Sequence, residues 1–251
     1  MNNGTEFISE GAMALLLLGE TGTGKSSLAM RFPAPGFVLG DKNILHGAAW
    51  AKAKGHVWYY GDPLLDANGK VLPDEARWAR SMAILREMGE SDKIKTIVDD
   101  SLSHLTDYLK SALIKAGAGG APLIVGGESV MTKALWEPFA TNLKRRITVA
   151  RQFKKTYILV AHIAVGENEI SGVKEFQYAL QGQMKAELGR WFSDIWQCDA
   201  EPKTDAKYKE TRGVRYFVRT APTYRIKLKA SSPGMPAEAD VEELVKFLGL
   251  T

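Results

Sequence analysis

Residues 19–26 read G-E-T-G-T-G-K-S, which completes the pattern G-x-x-x-x-G-K-[ST], directly behind the apolar run of residues 12–18 and ahead of Ser27, Leu28, Ala29 and Met30. The order apolar run, glycine-rich turn, apolar-periodic segment predicts a buried strand, a tight loop and a helix. In that loop Gly19, Gly22 and Gly24 can take positive φ and bring backbone N–H groups close to an anion. The N-terminal end of the following helix adds a partial positive charge. Glu20, Thr21, Thr23 and Ser27 complete the cradle around a bound triphosphate. Lys25 would reach the β and γ oxygens as a mobile point charge, and the Ser26 hydroxyl would ligate Mg²⁺. A plain glycine-rich turn is the alternative, and it leaves Lys25 and Ser26 unexplained.

The rest of the chain repeats the strand–helix alternation that this opening begins. A helix over 24–32 stops at the Pro33-Ala34-Pro35-Gly36 segment, and residues 37–39 read as a second strand. Residues 57–60 are a third strand candidate. The loop 61–73 follows it, then a helix whose apolar positions include Trp78, Met82, Leu85 and Met88. Thr96-Ile97-Val98 is a short strand ending in Asp99-Asp100-Ser101, ahead of a helix over 103–115. Residues 117–127 hold five glycines in eleven positions and read as a flexible connection. Leu135, Phe139, Leu143, Ile147 and Ala150 mark one face of a long helix, with Pro138 near its first turn and Lys144, Arg145, Arg146 and Arg151 on its other faces or at its end. Residues 157–161 form a continuous apolar run, as strands buried on both faces do. Beyond a polar, glycine-bearing stretch at 163–183, residues 195–198, 214–218 and 224–229 read as antiparallel strands or hairpins, and 238–248 as a terminal helix. The sum is an α/β fold with a mostly parallel sheet flanked by helices and antiparallel strands added near the C-terminus.

Composition narrows the setting. With 251 residues and 45% apolar content, the chain is long enough for one large domain, a core at about 10–200 with a hairpin-and-helix extension at about 201–251. The net charge of +4 is mild, so any polyanion partner must be argued from where the cations sit. A single cysteine, Cys198, excludes an internal disulfide and a cysteine-cluster zinc site, which fits a cytoplasmic setting. No run approaches the roughly 18 apolar residues of a membrane helix, so no membrane partner is expected. No basic stretch precedes the first apolar run, so a secretory leader is not expected either.

A phosphate loop of this kind needs a second acidic group for magnesium at the end of a neighbouring buried strand. Asp100 is the choice, at the carboxyl edge where ligands of open α/β sheets bind; Asp99 is its rival, and a helix cap, a duty better suited to Ser101 or Ser103, is the structural alternative. Hydrolysis also needs a group that orients water. Glu20, Asp41 after the second strand and Asp62 after the third stand at strand ends, and each reads equally as a solvated loop acid. His162 ends the apolar run at 157–161 and reads either as a γ-phosphate sensor or as a hydrogen-bonded cap. His46, His56 and His104 show no metal-ligand spacing and receive no role. Residues 203–229 carry Lys203, Lys207, Lys209, Arg212, Arg215, Arg219, Arg225, Lys227 and Lys229 against Asp205 and Glu210, interleaved with Tyr208, Tyr216, Phe217 and Tyr224. That pattern suits single-stranded nucleic acid, and a solvated strand face or a neighbouring subunit's ATP accounts for it as well.

The loop at 19–26, the strand end Thr96-Ile97-Val98-Asp99-Asp100-Ser101, the run from Tyr157 to His162 with its polar continuation, residues 180–196 and the late Arg225-Ile226-Lys227-Leu228-Lys229 together resemble the RecA-like P-loop ATPases. Within them the resemblance is to short phage-encoded nucleotide-binding proteins related to single-strand annealing recombinases. It spans most of the chain. It implies an ATPase that uses ATP and magnesium, binds single-stranded DNA and assembles as a homo-oligomer with ATP sites between subunits. Lys25 and Ser26 would bind phosphate and magnesium, Asp100 would be the second magnesium group, and His162 would lead into a DNA-binding loop. Lys227 and Lys229 look like the paired basic residues such proteins insert into the adjacent subunit's site. The family's glutamate after the second core strand is replaced by Asp41, which points to slow hydrolysis. A nucleotide-dependent assembly or loading factor is the competing function class, and a small-molecule kinase a third.

Overall fold

The computed structural model describes residues 12–40, 44–117, 123–125, 128–167, 174–178, 187–204, 211–222 and 227–250. The expected sites and strand positions at Asp41, Tyr224, Arg225 and Ile226, the cations Lys207 and Lys209, and residues 180–186 lie outside them.

The leucine run forms β1 (Ala14–Gly19), buried at every position because it lies between two parallel neighbours and beneath helices on both faces. After the loop come α1 (Lys25–Ala29), β2 (Pro35–Leu39), α2 (Leu45–Lys54), β3 (Tyr59–Gly61), α3 (Asp74–Glu90), β4 (Thr96–Asp100) and α4 (Leu102–Lys115). They are followed by β5 (Leu123–Val125), β6 (Glu128–Val130), α5 (Trp136–Gln152), β7 (Thr156–Glu167), β8 (Lys174–Tyr178), β9 (Asp194–Thr204), β10 (Thr211–Arg219), β11 (Glu238–Asp240) and α6 (Val241–Phe247). Among the described residues nine strands form one sheet, eight in the order β11-β10-β9-β1-β7-β4-β2-β3 and β8 paired to the far part of β7. The strands from β9 to β3 are mutually parallel; β10 and β11 join antiparallel. This is the expected mostly parallel, helix-flanked sheet with antiparallel strands at its C-terminal end.

Each face of the sheet has its own core. Leu16, Leu18, Ile97, Leu159 and Ala161 pack beneath α3, α4 and α5 with Ile84, Leu85, Leu105, Phe139 and Leu143. Leu15, Leu17, Val98, Ile158, Val160, Trp196 and Val218 pack on the other face with Leu28, Met30, Ala51 and Leu244. The odd-even split follows the two-residue period of a strand. Pro138 falls in the first turn of α5, where a missing N–H costs no helical hydrogen bond. Among the described residues no helix is long and apolar enough to cross a membrane.

Several expectations need correction. The helix after the loop is shorter than 24–32, because chain reversal begins at Met30. Helix α2 was not anticipated; it buries only Gly47 and Ala51, so it carries almost no apolar periodicity. The glycine-rich connection at 117–127 contains β5, paired antiparallel with β6 through Leu123 opposite Val130. Strand β7 does not end at Ala161 but continues through His162 to Glu167, where it pairs antiparallel with β8, Ile163 opposite Tyr178. Residues 227–229 form no strand: Lys229 makes one isolated bridge to Ile195. The terminal helix begins at Val241, since residues 238–240 pair with β10 as β11.

Where helices cross closely, glycine is required. A Cβ on Gly89 in α3 would lie 2.3 Å from the Phe153 ring at the end of α5. Gly89→Ala therefore lowers stability by about 1–2 kcal/mol, overpacking outweighing the helix-propensity gain of under about 1 kcal/mol. A denaturant-midpoint measurement that showed stabilisation would contradict this packing.

Candidate functional site

The loop that follows β1 has the backbone its glycines predict. Gly22 and Gly24 both have φ of 84°, a left-handed conformation costly for any residue with a Cβ. Gly19 is needed for a second reason: a Cβ there would lie 2.5 Å from both the Cys198 carbonyl oxygen and Thr23 Oγ1. Thr23 Oγ1 donates to the Glu20 carbonyl at 2.8 Å and closes the loop on itself. Lys25 is 5% exposed, and its Nζ donates to the carbonyls of Gly19 at 3.0 Å and Glu20 at 2.6 Å. Burial lowers the pKa of this ammonium, while Cys198, Asp100 and Glu20 act the other way. Burial also pushes the Cys198 thiol up to about 12, so it is neutral at ordinary pH and the effective counter-charges are the two carboxylates. Ser26 and Ser27 are half-buried on α1; Glu20 and Thr21 are exposed.

The strand period separates the two adjacent aspartates. Asp99 points to the α3–α5 face and is fully buried. There Arg146 grips it with two parallel bonds, Nε to Oδ2 at 2.9 Å and Nη2 to Oδ1 at 2.6 Å, and the Tyr157 hydroxyl donates to Oδ2 at 2.6 Å. Arg146 Nη1 also donates to Ser81 Oγ at 3.1 Å, and the guanidinium lies over Trp78. Burial disfavours the Arg146 charge, but the Asp99 carboxylate overcomes this and raises its pKa. Burial and the same carboxylate hold the Tyr157 phenol protonated. Arg146, placed from the sequence with Lys144 and Arg145 on the other faces of this helix or at its end, is instead wholly buried; its position directly before the core residue Ile147 was the available signal, masked by the two basic residues ahead of it. Asp99 is thus committed to packing.

Asp100 takes the opposite face, the one that carries α1 and Lys25. It stands at the last position of β4, half-buried and close enough to act on the Lys25 charge. Between β4 and β1 runs β7, whose His162 is in register with Gly19 while Val160 is in register with Asp100. His162 is half-buried and on the α1 face by the same alternation. The sequence therefore led to Lys25, Asp100 and His162 by separate arguments, and the topology brings them to one edge of three adjacent strands.

Two neighbours take places the sequence did not indicate. Ser101 Oγ is buried without a hydrogen-bond partner among the described residues and makes no cap bond to α4, so Ser101 does not take up the alternative capping duty. His104, given no role from sequence, lies against the end of β2: a Cβ on Gly40 would be 2.3 Å from its own Cβ. The Gly40 amide donates to the Asp100 carbonyl at 2.7 Å, tying the two strand ends together. Asp62 follows β3 on the same carboxyl edge but far from the loop: β3 is four strands from β1, about 19 Å, and Asp62 Oδ1 accepts the Leu64 amide at 2.8 Å in a local turn.

The basic region also looks different once folded. Arg215 pairs with Glu201, Glu238 and Asp240, and Arg219 with Asp199 and Glu238, both stacked over Phe217. These two cations are neutralised within the chain. Lys229 Nζ donates to the Phe192 carbonyl at 2.8 Å, at the amino edge of the sheet, because its partner Ile195 is in register with Leu16. Lys227 and Lys229 are exposed and remote from the same chain's loop.

The site suits a magnesium–nucleotide complex on its own chemistry. Ser26 on α1 and Asp100 at the end of β4 supply hard oxygen donors on the same face of the sheet, and Ser101 Oγ, next to Asp100 in the chain, is buried without a hydrogen-bond partner among the described residues. Among the described residues no group of three or more histidines, cysteines and carboxylates is placed to hold a metal ion. A family model described as "AAA domain" matches residues 12–230, which takes in every element from β1 to β10. The chain belongs to the AAA domain family. This AAA-type P-loop ATPase domain has no significant match among curated proteins. In fold it is similar to a KaiC-like protein from the archaeon Pyrococcus horikoshii, with 14% identity over 91% of this chain and 84% of that one and a TM-score of 0.45. It is likewise similar to the RadB recombinase, with 12% identity over 82% and 86% and a TM-score of 0.43. An ATPase from the type III secretion system of pathogenic bacteria matches with 10% identity over 74% of this chain and 52% of that one, at a TM-score of 0.43.

The division of labour between the aspartates is measurable as stability. Asp99→Ala strands the Arg146 charge and costs about 3–5 kcal/mol in denaturant unfolding. Asp100→Ala, at a half-exposed edge, costs under about 1 kcal/mol. Equal costs would contradict the assignment.

Proposed function

We propose that this P-loop ATPase domain is a magnesium-dependent, RecA-like ATPase that acts on single-stranded DNA in phage-type recombination or replication, with ATP sites completed between subunits. The carrying observation is that Lys25, Asp100 and His162 face one crevice, and that β7 runs without a break from His162 into the β8 hairpin. Lys25 leaves the Gly19 and Glu20 carbonyls to meet the β and γ oxygens, exchanging two neutral acceptors for anionic ones. Ser26 and Asp100 would hold the magnesium ion, which would supply neutralisation of the charge that develops on the phosphates. His162, in register with Gly19, senses the terminal phosphate, and a shift there moves the hairpin continuous with it. Asp41 and Glu20 are the acids available to orient water. Exposed Lys203, with the cations at 207, 209 and 225, contacts the DNA backbone, and Lys227 and Lys229 reach the neighbouring subunit's nucleotide.

A second reading, a nucleotide-dependent assembly or loading factor, draws support from the internal neutralisation of Arg215 and Arg219, which removes two cations from any DNA-facing stripe. ATP turnover with and without single-stranded DNA separates the two. The DNA reading expects stimulation that fades with salt, and Lys25→Ala lowers turnover at least about hundredfold in either case. Turnover indifferent to DNA at low salt, with ATP-dependent assembly retained, would leave the assembly factor standing.

A further inference from the structure

The strand order fixes a direction for any triphosphate held in this loop. Asp100 stands on β4, two strands from β1 on one side, so the magnesium-bearing γ end is directed that way. The nucleoside must then leave towards β9 and β10, on the other side. β10 lies two strand spacings from β1, about 10 Å, within reach of a ribose and base.

The residue waiting there is Tyr216. Its ring flanks the last glycine of the loop: a Cβ on Gly24 would touch Cδ1 at 3.4 Å and Cγ at 3.9 Å. It is on the α1 face because Val218, two residues on, packs in that core. Yet Tyr216 is 44% exposed and Val214, the next residue outward on the same face, is 48% exposed. Their partners across β9 are Ala200 and Pro202, so the shelf carries no charge. Among the described residues, the ion pairs of Arg215 and Arg219 on this strand pair lie on the reverse face, around Phe217. An aromatic ring left open to solvent beside an anion-binding loop, with uncharged cross-strand partners, suits a flat uncharged heterocycle.

We propose that Tyr216 is the base-binding residue of the site: the base of the nucleoside triphosphate stacks on its open ring face, with Val214 extending the shelf. The inference rests on the phosphate-loop reading and adds where the base goes and how it is held. Stacking without hydrogen-bond readout favours purines over pyrimidines through ring area, and distinguishes adenine from guanine weakly.

The test compares ATP, CTP and inorganic tripolyphosphate, each with magnesium, in equilibrium titrations of the full chain. The parent protein binds ATP about tenfold or more tighter than tripolyphosphate, with CTP between them. Tyr216→Ala loses that margin while tripolyphosphate affinity stays within about twofold, and Tyr216→Phe keeps it, since the ring and not the hydroxyl does the work. A parent that binds tripolyphosphate as tightly as ATP overturns the proposal without any variant. So does a Tyr216→Ala protein that weakens both ligands equally, which would mean that the ring only props Gly24. Failure of the parent to bind any of the three would overturn the phosphate-loop reading and this one with it.

Discussion

Adjacent residues of a β-strand face opposite sides, and at the end of β4 that alternation decides what this protein can do. Asp99 turns to the helical layer of α3, α4 and α5 and is locked there by Arg146 and Tyr157. Asp100 turns to the crevice. A buried ion pair of this kind brings little net stability compared with an apolar replacement, but breaking it is costly, so it fixes the registration of β4, β7 and α5 against one another. With β4 held from behind, its last carboxylate is presented at a set height relative to the loop after β1, two strands away. Lys25 shows the consequence: it is nearly buried, and its charge is maintained by carbonyls and by the carboxylates of Asp100 and Glu20.

The same logic orders the rest of the carboxyl edge. His162 is carried by the strand between the loop and Asp100, and Gly40 is bonded to the Asp100 carbonyl and packed under His104. The loop after β2, which carries Asp41, therefore leaves from a strand end already fastened to the acid-bearing strand. On the other flank, β10 separates its two faces by chemistry: arginines paired with acids behind, Tyr216 and Val214 open beside the loop in front. The crevice is thus asymmetric, polar towards β4 and apolar towards β10, as a nucleoside triphosphate is.

Much of this was legible before folding, and the reasons differ by element. The loop could be read residue by residue, because glycine positions, lysine and serine each answer a local backbone or charge requirement. The buried strands β1, β4 and β7 could be read because parallel strands covered on both faces are apolar without alternation. Helix α2 could not, since Gly47 and Ala51 bury without an apolar stripe. The hairpin formed by the end of β7 with β8 was hidden because His162, Gly166 and Glu167 interrupt the apolar pattern while the backbone pairing continues. The basic stretch misled for a different reason. Counting cations along 203–229 ignores the acids at 199, 201, 238 and 240 that strand pairing brings across to Arg215 and Arg219. Tyr216 was counted as part of that stretch, and only its approach to Gly24 shows that it belongs to the loop's surroundings.

The claim that Asp100, and not Asp99, completes the magnesium site is tested most directly by the magnesium dependence of ATP affinity in Asp100→Asn. The substitution keeps size and removes the charge. The account predicts that magnesium tightens ATP binding in the parent protein and has little effect in the variant, while metal-free ATP affinity is unchanged or slightly higher. Equal tightening by magnesium in both proteins would contradict it.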